Sequence, residues 1–139
     1  MKKYVHKIEN FEELFEKIKF EMEKYWAIYT AMIFKLKDES QMKDFEDFLL
    51  KCLRISDTVF SLSKNKIMLI LEETTIRWAI VLDEKLKEKI IEKSFKYEYY
   101  CSAIQWDFID SEEKLVKSLK KRLKRAKELD SSDCIYSLS

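Results

Sequence analysis

Apolar residues recur at two spacings along this 139-residue chain, and the change from one spacing to the other divides it into elements. Phe11, Leu14, Phe15, Ile18, Met22 and Tyr25 fall three and four apart, as on one helical face, and Asn10-Phe11-Glu12-Glu13 has the form of a capping box. A first helix is expected over 11–24. Residues 27–36, AIYTAMIFKL, are almost continuously apolar with β-branched and aromatic members, which suits a central strand covered on both faces. Met42, Phe45, Phe48, Leu49, Cys52 and Leu53 then line one side of a second helix. Two short apolar runs, 58–62 and 67–71, flank four polar residues and read as a hairpin. Thr74-Thr75 opens a third helix with Ile76, Ala79, Ile80, Leu82, Leu86, Ile90 and Ile91 on its inner side. The last long strand spans 97–108, and Asp110-Ser111-Glu112-Glu113 caps a fourth helix with Leu115, Leu119, Leu123 and Ala126 as its buried stripe. Residues 134–138, CIYSL, read as a short closing edge strand.

The centre of this order is βαββαβ, so an α+β, ferredoxin-like core is expected, extended by an N-terminal helix and by a C-terminal helix plus edge strand. A single domain over 1–139 follows, with the first helix in 1–24 and the core in 25–138. The two added helices would cover the sheet face that a minimal ferredoxin-like fold leaves open.

Composition narrows the function classes. With 47% hydrophobic and 38% charged residues the chain is too apolar for disorder, and it has no run of about twenty apolar residues to span a membrane. Its start, MKKYVHKIEN, lacks the apolar run of a signal peptide, so a cytoplasmic protein without a membrane partner is expected. A formal net charge of +1 favours neither nucleic acid nor an acidic partner across the whole molecule. Lys117, Lys120, Lys121, Arg122, Lys124, Arg125 and Lys127 make the last helix basic, either as a solvated face or as a contact for phosphates or an acidic protein. Cys52, Cys101 and Cys134 match neither a disulfide framework nor a Cys-x-x-Cys motif and are expected to be buried, reduced thiols. With His6 as the one histidine, no zinc site and no Ser-His or Cys-His pair is expected, and no cofactor is implied. Tyr97, Tyr99, Tyr100, Trp106 and Phe108 crowd one strand, as core packing or as a dimer interface. Glycine and proline are absent, so turns must use Asn, Asp, Ser and Lys, which tolerate positive φ less well than glycine.

Three stretches together resemble the GGDEF domains, the diguanylate cyclases that make cyclic di-GMP from two GTP. Arg54-Ile55-Ser56-Asp57, the run 58–62, a hairpin and 67–71 are similar to that family's R-x-x-D, strand, GG[DE]EF, strand block. The helix opened at Thr74, and the final helix ending in Ala126-Lys127, continue the likeness over about residues 25–138. The resemblance places Ser63, Lys64, Asn65, Lys66 and Ile67 where the family carries its signature. There the glycines let the backbone approach a nucleotide, and the acidic residue helps hold the divalent metals; lysines and Asn65 supply neither property. A second metal-holding aspartate would lie near the end of the first strand, where this chain reads Ile33-Phe34-Lys35-Leu36-Lys37.

Arg54 and Asp57 stand where the family has its inhibitory, product-binding R-x-x-D, five residues before the signature turn. An arginine fork suits a guanine edge or a phosphate, and an aspartate accepts from guanine N–H groups. The same residues also fit a structural reading, a cation at a helix C-terminus and a polar strand start. A further arginine completes the family's site, and Arg77 is the candidate here. The expectation is a non-catalytic GGDEF-like signalling or interaction module binding cyclic di-GMP through Arg54 and Asp57. The alternative is a protein-binding adaptor or homodimeric scaffold without a nucleotide ligand, with an active diguanylate cyclase as a distant third.

Overall fold

The computed structural model describes residues 4–106 and 111–138. In chain order these form strand β1 (Val5–Lys7), helix α1 (Phe11–Tyr25), β2 (Tyr29–Leu36), α2 (Met42–Cys52), β3 (Thr58–Ser63), β4 (Lys66–Glu72), α3 (Ile76–Glu92), β5 (Tyr99–Trp106), α4 (Glu112–Glu128) and β6 (Ile135–Leu138). Among the described residues the strands build one sheet in the order β1-β3-β4-β2-β5-β6. Each neighbouring pair among the four inner strands is antiparallel, and with α2 and α3 these strands make the expected βαββαβ core. β1 and β6 add in parallel at the two edges.

The continuous apolar run of β2 has its physical reason in this layering. Met32, Phe34 and Leu36 point to one core with Leu49, Phe45, Ala79 and Leu86 of α2 and α3. Ala31 and Ile33 point to the other with Phe11, Phe15 and Ile18 of α1 and Leu115, Leu119 and Leu123 of α4. A strand buried on both faces cannot alternate apolar with polar, because both faces leave water. Its buried Thr30 hydroxyl donates to the Thr74 carbonyl at 2.5 Å, so it is not left unsatisfied.

Several expectations are corrected in detail. Asn10 closes a 3-10 turn in the helical region and makes no side-chain cap, so the capping box does not form. β1 was not legible, because the three residues Val5-His6-Lys7 are too few to carry a periodicity. On α3, Ile91 is 79% exposed, and the inner stripe instead carries the buried Asp83. Thr75 and Ser111 do cap α3 and α4 as expected. Phe108 and Asp110 lie outside the described residues.

The glycine-free turns are solved in two ways. Trp26, Ser94 and Asp130 take positive φ just beyond α1, α3 and α4, where glycine is usual, at a cost of about 1 kcal/mol each. The β3–β4 hairpin avoids positive φ entirely. Its two-residue loop, Lys64-Asn65, is accommodated by a bulge between Ser61 and Ser63 that adjusts the local twist.

Candidate functional site: two clefts

The chain leaves α2 at Cys52, turns through Ser56 and enters β3, and this turn brings Arg54 and Asp57 together. Asp57 is 4% exposed at its side chain, whereas Arg54 is 57% exposed. Asp57 Oδ1 accepts from Arg54 Nη2 at 3.0 Å, and Oδ2 accepts from Arg54 Nε at 3.3 Å and from the Arg54 backbone N–H at 3.0 Å. The hydrogen bonds to Asp57 push the guanidinium further above its ordinary value. Arg54 Nη2 also donates to the Glu72 carbonyl at 2.8 Å and to Thr74 Oγ1 at 2.9 Å, and Thr74 Oγ1 donates to the same Glu72 carbonyl. The guanidinium therefore clamps the strained β4–α3 turn, where Glu73 holds a φ of 49°.

Around this pair lies a cleft of about 410 Å³ whose walls include Glu73, Thr74, Trp78, Leu82 and Lys85, so two cations and two carboxylates line it. Trp78 and Lys85 stand on α3, and the indole is exposed. Arg77 is also exposed but does not line the cleft. Lys85, which carries no signal of its own in the sequence, lies 28 residues beyond Asp57 and shares its cleft only through α3 packing on the sheet. The helical period would have found it: seven residues separate Lys85 from Trp78, close to two turns, so both share one face.

The signature-like hairpin sits elsewhere. Ser63 and Lys64 are exposed, Asn65 and Lys66 half-buried and Ile67 buried. Ser63 Oγ donates to Asn65 Oδ1 at 3.2 Å, and the Asn65 carbonyl accepts from the Leu36 N–H at 2.8 Å, so the turn is tied to β2. The β2–β4 register sets Lys35 directly opposite Lys66. From α4, Lys120, Lys124 and Lys127 join them around a cleft of about 500 Å³, with Glu128 as the one lining carboxylate. Burial, then the neighbouring Lys127 and Lys66, push the Lys35 ammonium below its ordinary value. A divalent metal needs several oxygen donors, preferably anionic, and this lysine-lined site does not fit one. Among the described residues, no three His, Cys, Asp or Glu side chains converge as ligands.

No family model matches the sequence, and no curated protein does either. Solved structures share its fold. The GGDEF domain of DgcB from Caulobacter crescentus, in complex with c-di-GMP, superposes with a TM-score of 0.81 at 6% identity, over 99% of this chain and 91% of that one. A DGC protein from Thermotoga maritima gives 0.71 at 21% identity, over 85% and 95%. The active GGEEF domain of a diguanylate cyclase from Vibrio cholerae gives 0.76 at 10% identity, over 98% and 99%. The chain therefore has the GGDEF fold. Among the described residues, no helix is long and apolar enough to cross a membrane.

Proposed function

We propose that this chain is a non-catalytic GGDEF-like signalling module that receives cyclic di-GMP at the Arg54–Asp57 cleft. The observation that carries the reading is the meeting of Arg54 and Asp57 in one cleft with Lys85 and Trp78 on its wall. A half-exposed guanidinium and an ammonium suit the two phosphates, and an exposed indole offers a stacking face to a guanine. Because Arg54 also clamps the turn, the ligand shares it with the fold rather than finding a free arm. The lysine-lined hairpin supports the non-catalytic half, since cations there repel the magnesium that a triphosphate carries.

Calorimetric titration with cyclic di-GMP tests the reading. The wild type is expected to bind in the micromolar range, and Lys85→Ala and Trp78→Ala, which leave the Arg54 clamp intact, to bind roughly tenfold more weakly or less. Silence of the wild type would sink the ligand assignment. Incubation with GTP and magnesium is expected to give no cyclic product, and product formation would overturn the non-catalytic assignment.

The second reading, a protein-binding adaptor or homodimer, draws on a different surface. Phe20, Tyr25, Trp26 and Ile28 are all exposed near the end of α1, and isolated soluble domains rarely leave that much aromatic area uncovered. Sedimentation of the wild type against Trp26→Ala distinguishes a homodimer from a monomer.

A further inference from the structure

Cys101 and Cys134 are 33 residues apart in sequence, yet their Sγ atoms lie 3.0 Å apart, with the Cys101 thiol donating to the Cys134 sulfur. The β5–β6 register explains the meeting. Ser102 pairs with Ile135, so Cys101 and Cys134 stand side by side one step earlier, and both belong to the core beneath α2 and α3. Adjacent strands run about 4.8 Å apart, inside the range of Cα separations that a disulfide bridges. The segment carrying Cys134 is also anchored from α3. Lys87 Nζ donates to the Ser132 carbonyl and, at 2.8 Å, to Asp83, which accepts from the Tyr99 hydroxyl at 2.6 Å. Both cysteines are free thiols, and burial, then the neighbouring sulfur, push the Cys101 thiol up.

We propose that Cys101 and Cys134 form an oxidisable dithiol, a site at which a small disulfide of the glutathione type closes an intramolecular bond that ties β6 to the sheet. Cys101 is 0% and Cys134 7% exposed, and β6 is an edge strand whose local opening admits the oxidant. Cys134, the more accessible thiol and the one whose sulfur receives a hydrogen bond, loses its proton and attacks one sulfur of glutathione disulfide. The oxidant's S–S bond breaks, one glutathione leaves as its thiol, and a mixed disulfide remains on Cys134. Cys101 then attacks the Cys134 sulfur, its proton goes to the departing second glutathione, and the internal S–S bond forms. Two protein thiols lose two electrons and two protons, and one glutathione disulfide gains them.

The test uses the full chain, incubated with glutathione disulfide, alkylated after unfolding, digested and weighed by mass spectrometry. The expected product links the Cys101 and Cys134 peptides and leaves Cys52 alkylated, and Cys101→Ser is expected to retain a glutathione on Cys134. The bond should raise Tm by roughly 10 °C, reversibly with a reductant, because it closes a long loop of the unfolded chain. The equilibrium constant against glutathione should be at least about tenfold larger for the folded chain than in concentrated urea, since folding pre-aligns the sulfurs. A linkage through Cys52, no linkage, or equal constants in the two states would each overturn the proposal.

Discussion

The two clefts use positive charge in opposite ways. In one, Arg54 is matched with a buried carboxylate and two further acceptors, so its charge is spent on holding the β4–α3 turn. In the other, five lysines line one cleft with a single carboxylate, and Lys35 and Lys66 are direct cross-strand neighbours. Like charges opposite one another on a sheet destabilise it, whereas removing one member of a buried pair strands the other. Charge in the first cleft is therefore part of the architecture, and charge in the second is a standing field that the fold tolerates.

The largest effect should come from Asp57→Ala, which strips the charge partner from Arg54 and the acceptor from its Nε and backbone N–H, leaving it only the neutral Glu72 carbonyl and Thr74 hydroxyl. A loss of about 3 kcal/mol is expected in urea unfolding, at the lower end for a buried pair because the arginine is half in water. A loss under about 0.5 kcal/mol would mean that the pair is not structural. Next, Glu73→Gly should stabilise the protein by about 1 kcal/mol by releasing the positive-φ strain at the clamped turn. Thermal unfolding reads this directly, and a destabilised variant would show that the Glu73 side chain matters more than its backbone.

In the second cleft the sign reverses. Lys35→Met should stabilise the chain at neutral pH by less than about 1 kcal/mol, a figure already discounted for solvent screening. Lys35 titrates below its ordinary value in the folded chain, so between the two values the unfolded chain binds more protons and wild-type stability rises with pH. The advantage of the variant should therefore be complete well below the folded value and should fade as pH approaches about 10.4. Paired denaturation curves across that window check it, and an advantage that grows with pH would contradict the repulsion. The smallest effect is that of salt. Raising sodium chloride to about 0.5 M should stabilise the wild type by a few tenths of a kcal/mol through screening, and Lys35→Met by less. A larger gain in Lys35→Met would break the comparison.

Most of the fold was legible because its signals are local. The buried stripe of α4 emerged as its periodicity implied, and the central position of β2 followed from its lack of alternation. What failed had no local signal or a misleading one. Asn10-x-x-Glu13 looked like a cap, but the preceding 3-10 turn had already placed Asn10 in helical conformation. Asp83 interrupted an apolar stripe and gave no hint of its partners Tyr99 and Lys87, which stand 16 residues away on β5 and one turn along the helix. In the candidate site, Arg54 and Asp57 were readable because a short turn joins them. Lys85 was not, because α3 had first to dock on the sheet.

The amino-acid sequence by itself determined the element order from α1 onward, the two-faced burial of β2 and the cationic character of the hairpin, since each depends on neighbours within a few residues. The tertiary structure alone decided which distant groups meet: Lys85 with Arg54, three α4 lysines with Lys35 and Lys66, and the thiol of Cys101 with that of Cys134. Those meetings depend on strand register and helix docking, which arise from packing summed over the whole core and leave no trace in the spacing of the residues that they unite.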